Sequence, residues 1–112
     1  MTIDMHAHLV PPIVLEDLEK EPSRYGVHLE QAAGGTCVCY DHGLKIRPFF
    51  DRLLDLEQRW EEMGKQGIDR QILSVWADLF GYSMPADKGA GWNRLLNERL
   101  SQVVQRYPER LS

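Results

Sequence analysis

Nothing in these 112 residues approaches the ~20 consecutive apolar residues that a membrane-spanning helix requires. The N-terminus has neither the basic segment nor the apolar stretch of a secretory signal. The expected compartment is the cytoplasm, with no membrane as partner. Basic excess is also missing: 13 Lys and Arg stand against 17 Asp and Glu, a net charge of −4. That balance argues against nucleic acid and anionic lipid as partners. Repeats, low-complexity tracts and interdomain linkers are absent too. Cysteine is scarce, with only Cys37 and Cys39, spaced C-x-C. On a strand they share a face, so a soft-metal pair is conceivable. No second Cys or Cys/His pair lies nearby in sequence to complete a tetrahedral site. They are read as reduced strand cysteines without a chemical role.

The composition, 43% hydrophobic and 27% charged, fits a soluble globular chain, and the length allows one small domain. A chain of this size buries roughly 60–70% of its unfolded surface, so a modest core is expected. The most informative segment is the opening run Thr2-Ile3-Asp4-Met5-His6-Ala7-His8-Leu9-Val10-Pro11-Pro12. If residues 2–7 form a strand, His6 and His8 point to the same side, about 6–7 Å apart along the backbone. Both imidazoles then reach one metal ion. Pro11 and Pro12 end the strand, because proline cannot continue a central ladder. Asp4 is read as turned away from the His6/His8 face and as a structural hydrogen-bonding group.

Downstream, Ile13 to Lys20 reads as a short helix. Val27–Ala32, Thr36–Tyr40 and Leu44–Arg47 are short extended runs separated by glycine-rich turns, which predicts an antiparallel meander. With few large apolar residues, the meander (about 26–47) reads as an insertion rather than a core layer. His28 and His42 read as solvated turn residues. From Asp51, Leu53, Leu56, Trp60 and Met63 recur at helical spacing, with Gly67 as the left-handed cap. Arg59 and the glutamates from Glu57 to Glu62 are assigned to a solvated face. Ile68 to Trp76 suits a parallel strand covered on both sides. Asp87 to Tyr107 is a second amphipathic helix, closed by Pro108. Leaving the meander aside, strand, short helix, helix, strand, helix is the opening of an α/β fold with a parallel sheet.

Beyond these patterns, the text has a resemblance. Ile3-Asp4-Met5-His6-Ala7-His8 looks like the first strand of the amidohydrolase superfamily. Met63 to Gln71, Asp78 to Tyr82, Leu95 to Leu100 and Tyr107 to Arg110 follow in an order and spacing similar to its amidohydrolase-related, aminocarboxymuconate-semialdehyde decarboxylase-like branch. Nucleases and phosphoesterases also begin with His-x-His; a phosphoesterase reading is disfavoured by Arg47 and by the decarboxylase-like text from Leu79 onward. The resemblance implies a domain over 1–112 that is the N-terminal portion of a metal-dependent (β/α)8 TIM barrel, incomplete because such barrels take about 250 residues. It implies His6 and His8 as metal ligands, for zinc or alternatively manganese. A further histidine and an aspartate ligand would lie beyond Ser112, as would the catalytic histidine. It implies Arg47 as a grip on a substrate carboxylate, since a guanidinium binds carboxylate bidentately. Active sites of these barrels lie at the C-terminal strand ends, so Trp76, Asp78, Phe80 and Tyr82 become candidates for lining the pocket. For Asp78 a cap or turn role competes.

The expectation is therefore the N-terminal segment of an enzyme that decarboxylates or hydrolyses a small carboxylate-bearing substrate, with a homodimer implied by the family. The competing expectation is an inactive truncated fragment that acts only through association with other chains.

Overall fold

Parallel pairing of the first strand with a distant one organises the chain. The computed structural model describes residues 1–112. Strand β1 (Ile3–Leu9) pairs in parallel with β5 (Arg70–Val75). The register runs Ile3–Arg70 and Asp4–Gln71, then Ala7–Leu73, His8–Ser74 and Leu9–Val75. Three steps from Asp4 to Ala7 thus match two from Gln71 to Leu73, which is a β-bulge. The bulge inverts the side-chain alternation. Asp4 stands with Gln71, Ala7 and Leu9 on one side of the pair, and His8 stands with Ser74 on the other.

After Leu9 the prolines stop the strand, and α1 (Ile13–Lys20) buries Val14 and Leu18 one turn apart. The meander follows as β2 (Val27–Ala32), β3 (Gly35–Tyr40) and β4 (Lys45–Ile46), antiparallel throughout. The two-residue turn Ala33-Gly34 joins its first strands, and Gly35 takes φ +121°, open to glycine but not to L side chains. His28 lies on β2 rather than in a turn.

The meander is no appendage. Val27, Val38, Tyr40 and Ile46 belong to the main twelve-residue core, together with Val10, Val14, Leu18, Val75, Leu79, Trp92, Leu95 and Leu96. Few apolar residues suffice there because alternation aims Val27, Val38 and Ile46 at one face. The expectation of an insertion outside the core is corrected on this point.

Two helices replace the single one expected from Asp51: α2 (Asp51–Leu54) and α3 (Leu56–Gln66). The break is Asp55, extended at φ −90° and ψ 109°, whose carboxylate accepts the Gln58 N–H at 3.1 Å. An aspartate so placed starts a helix of its own. Gly67 closes α3 in the left-handed conformation, as its position predicted.

Strand β5 is not covered on both sides. Gln71 and Val75 are buried, while Ile72 and Ser74 are exposed on the other face. A 3-10 turn (Ala77–Leu79) then leads to α4 (Ala86–Arg106), which buries Trp92, Leu95 and Leu96. Asp17 on α1 and Arg99 on α4 clamp the helices with two hydrogen bonds of 2.8 Å.

After α4 the chain returns to the outer edge of β5, where Leu111 pairs in parallel with Gln71. Gln71 N–H donates to the Arg110 carbonyl (2.9 Å), Ser112 N–H to the Gln71 carbonyl (3.0 Å) and Leu73 N–H to the Ser112 carbonyl (2.8 Å). The parallel order is thus β1, β5, Leu111, with helices in each crossover. This is an α/β arrangement, and no closed barrel forms. No helix is long and apolar enough to cross a membrane.

Candidate functional site

The two histidines meet at the bulge. His6 and His8 bring their Nε2 atoms to 3.0 Å, with the rings edge to face at 81°. Asp4 helps to shape this turn of backbone, since its Oδ1 accepts the His6 N–H at 3.0 Å. Opposite His8 in the register, Ser74 places its Oγ 2.9 Å from His8 Nδ1. With the proton on Nδ1, His8 donates to Ser74 and keeps its Nε2 lone pair directed at His6. Two nitrogens bound at about 2.0–2.1 Å to one zinc ion stand about 3.3 Å apart at the tetrahedral angle. A small ring rotation brings the observed pair to that separation, so the donor set fits a metal ion.

A buried polar chain supports this end of β1. Arg59 of α3 is only 9% exposed, which overturns its assignment to a solvated face. Its Nη1 donates to Gln71 Oε1 at 2.7 Å, and its Nη2 donates to the His8 carbonyl and to the Arg52 carbonyl (3.3 Å). Gln71 Nε2 in turn donates to Asp4 Oδ2 at 2.9 Å. The amide thus links guanidinium to carboxylate, and Asp4 does act as the structural hydrogen-bonding group expected of it. Burial pulls the Arg59 pKa below its usual value, and the Asp4 charge works against that pull. The Arg59 Nε has no partner. The guanidinium therefore holds the His8 backbone from beneath while the imidazole faces outward.

Above this network lies an open cleft of about 350 Å3, lined by Asp4, His6, His8, Arg59, Glu62 and Gln71 among others. Only three of its twelve lining residues are hydrophobic, which suits a polar or charged ligand more than an apolar one.

Arg47, Trp76, Phe80 and Tyr82, expected to contact substrate, lie elsewhere, and so does Asp78, which sits in the 3-10 turn after β5. Arg47 stacks its guanidinium 5.3 Å from the Phe50 ring and borders a separate depression with Lys45 and Asp78. Trp76 packs edge to face on Phe49 at 5.6 Å, against the core. Phe80 also packs on the core and carries Tyr82 at 5.8 Å, which is 90% exposed. None of the four lines the histidine cleft. Asp4, Arg59, Gln71 and Ser74 form its support instead. Of these only Asp4 was expected to hydrogen-bond structurally. Gln71 and Ser74, polar residues beside the apolar Ile72, Leu73 and Val75, are the signal that could have found the others on β5.

No family model matches the chain. Similarity to two known enzymes was found. Over 110 residues the chain is 30% identical to a 2-amino-3-carboxymuconate-6-semialdehyde decarboxylase of Caenorhabditis elegans, covering 97% of this chain and 27% of the enzyme. It is 26% identical over 110 residues to an enzyme of the same name from Dictyostelium discoideum, covering 98% of this chain and 31% of that enzyme. The chain therefore spans about a third or less of the curated relatives it matches. The likeness supports an amidohydrolase-like relationship and no more.

Proposed function

We propose that this chain carries the first metal-binding corner of an amidohydrolase-like decarboxylase built on a (β/α)8 barrel, with His6 and His8 as ligands. The observation that carries the reading is the 3.0 Å approach of the two Nε2 atoms. It is supported by the Ser74 contact to His8 Nδ1, the kind of outer partner that orients ligating histidines. Parallel pairing of β1, β5 and Leu111 with helical crossovers agrees with a barrel opening. Neutral imidazoles suit zinc first and manganese second. A divalent ion at this corner supplies Lewis-acid polarisation of a carbonyl or activation of a water.

The chain's own groups do the positioning. Ser74 holds the His8 ring through Nδ1, Arg59 anchors the His8 carbonyl, and the Asp4 carboxylate braces the bulge through the His6 N–H. The named relatives are decarboxylases, so a small carboxylate is the substrate class. Arg47, exposed beyond β4, is the residue assigned to hold that carboxylate. It acts only if further chain brings its depression and the histidine cleft into one pocket.

Zinc titration followed by NMR of the histidine side chains tests the proposal. The His6 and His8 ring signals are expected to shift together and saturate. Rings that stay unshifted at saturating zinc would remove the metal corner.

A second reading, association with other chains, is favoured by the edge of β1 that no strand covers and by the exposed apolar Ile3, Met5 and Ile72 beside it. Analytical ultracentrifugation separates the two, since this reading requires self-association without zinc.

A further inference from the structure

The meander turns one face to the core and carries on the other a group of donor atoms unrelated to the His6/His8 corner. His28 and Glu30 lie two apart on β2, on one side. Cys39 is the cross-strand partner of His28, and Lys45 the partner of Cys39 on the next strand. One ligand atom each from His28, Glu30 and Cys39 falls within 4.8 Å of the others. Cys39 is a buried free thiol, while His28 and Glu30 are partly open to solvent.

We propose that His28, Glu30 and Cys39 form a second metal site, selective for a thiophilic divalent cation such as zinc. One sulfur, one nitrogen and one oxygen make a borderline-soft donor set, which disfavours magnesium and calcium. Tetrahedral zinc holds such donors about 3.3–3.6 Å apart, so closure from 4.8 Å or less needs about 1 Å of side-chain movement. A water completes the four positions. On binding, the Cys39 thiol gives its proton to solvent and its sulfur forms the bond to the metal.

The neighbouring groups supply part of an outer shell. Lys45 Nζ donates to Glu30 Oε2 at 2.9 Å, and the other oxygen, Oε1, faces His28 Nε2 at 3.4 Å. Glu30 is thereby oriented to offer a single oxygen. On the far side of the ring, His28 Nδ1 faces Asp41 Oδ1 at 3.7 Å. At that separation the two do not hydrogen-bond, but a small shift of the exposed Asp41 side chain would bring its carboxylate behind the imidazole, the arrangement found around ligating histidines. Cys37 shares the face but stands opposite Glu30 and outside the group.

Cobalt(II) titration of the whole chain tests this, because a thiolate bound to cobalt gives a near-ultraviolet charge-transfer band that imidazole and carboxylate do not. The band is expected in the unmodified chain, in Cys37→Ser and in the His6→Ala/His8→Ala double variant. It should vanish in Cys39→Ser. His28→Gln and Glu30→Gln, both at solvent-facing positions, should each weaken cobalt binding at least tenfold. Absence of the band in the unmodified chain, its persistence in Cys39→Ser, or unchanged affinity in His28→Gln overturns the proposal. Loss of the band in the His6/His8 double variant would assign the thiolate signal to a single shared site and also overturn it.

Discussion

The antiparallel meander and the parallel β1/β5 pair are both small sheets of short strands, yet they spend their faces differently. The meander drives Val27, Val38 and Ile46 into the core and leaves its polar side chains on the other side. The parallel pair has polar groups on both faces. Asp4 and Gln71 are linked to Arg59 under the helices, and His8 and Ser74 look out to solvent. A sheet face that is closed by apolar packing gives stability, whereas a face left unsealed leaves lone pairs for chemistry. The bulge at Asp4–Ala7 is what allows β1 to serve both, since it switches the side to which successive residues point.

Substitutions can break this division, beginning with the largest effect. Trp92 is fully buried and its Nε1–H donates to the Leu79 carbonyl at 2.6 Å. Trp92→Ala is expected to lower the unfolding free energy by about 3–5 kcal/mol in urea titration. A cost below about 1 kcal/mol would show that stability does not reside in the meander–α4 half.

Next comes a pH effect on the same half. Burial pushes the Tyr40 hydroxyl up to about 12, with the nearby Asp78 charge adding to it and a Trp92 hydrogen bond opposing. The neutral phenol donates to the Leu79 carbonyl at 3.1 Å. Its folded pKa lies above the unfolded value of about 10, so its contribution is complete below pH ~10 and is lost as pH rises toward ~12. The expected loss is about 2–3 kcal/mol. Tyr40→Phe should flatten that part of the stability profile, and an unchanged slope would refute the assignment.

Arg59 tests the other half. Arg59→Met leaves Gln71 Oε1 and the His8 carbonyl without their donor, at about 1–3 kcal/mol. The open cleft lets water replace part of that loss, which is why the effect ranks below the core. It should also broaden the His8 NMR signals, because the carbonyl anchor is gone.

The smallest change in stability belongs to Ser74→Ala, within about 0.5 kcal/mol as for an exposed position. Its consequence should appear in zinc affinity at His6 and His8, about 10–100-fold weaker by calorimetry. A variant with intact affinity would mean that Ser74 does not orient His8.

Much of the element order was legible before the structure. Local signals sufficed wherever one residue decides the backbone: Pro11 and Pro12 after β1, Gly67 in the left-handed region, and the apolar periodicity of α3 and α4. The errors share a cause. Asp55 splits the helix expected from Asp51 because capping competes with continuation, and the periodic apolar pattern does not register that competition. Arg59 sits among glutamates in sequence, and only the packing of α3 against β1 shows that it is buried. The near-continuous apolar run from Ile68 to Trp76 predicted cover on both faces, but which face receives a helix is a property of neighbours.

By itself the sequence determined that this is an α/β chain whose first strand ends in a His-x-His pair, because side-chain period and proline stereochemistry are local. Tertiary structure decided that the meander joins the core and that a bulge turns Asp4 toward Gln71 and Arg59 while His8 meets Ser74. It also decided that Arg47, Trp76, Phe80 and Tyr82 stand apart from the histidine cleft. Those outcomes depend on register and on which strand lies beside which, and register is settled only when distant segments pair.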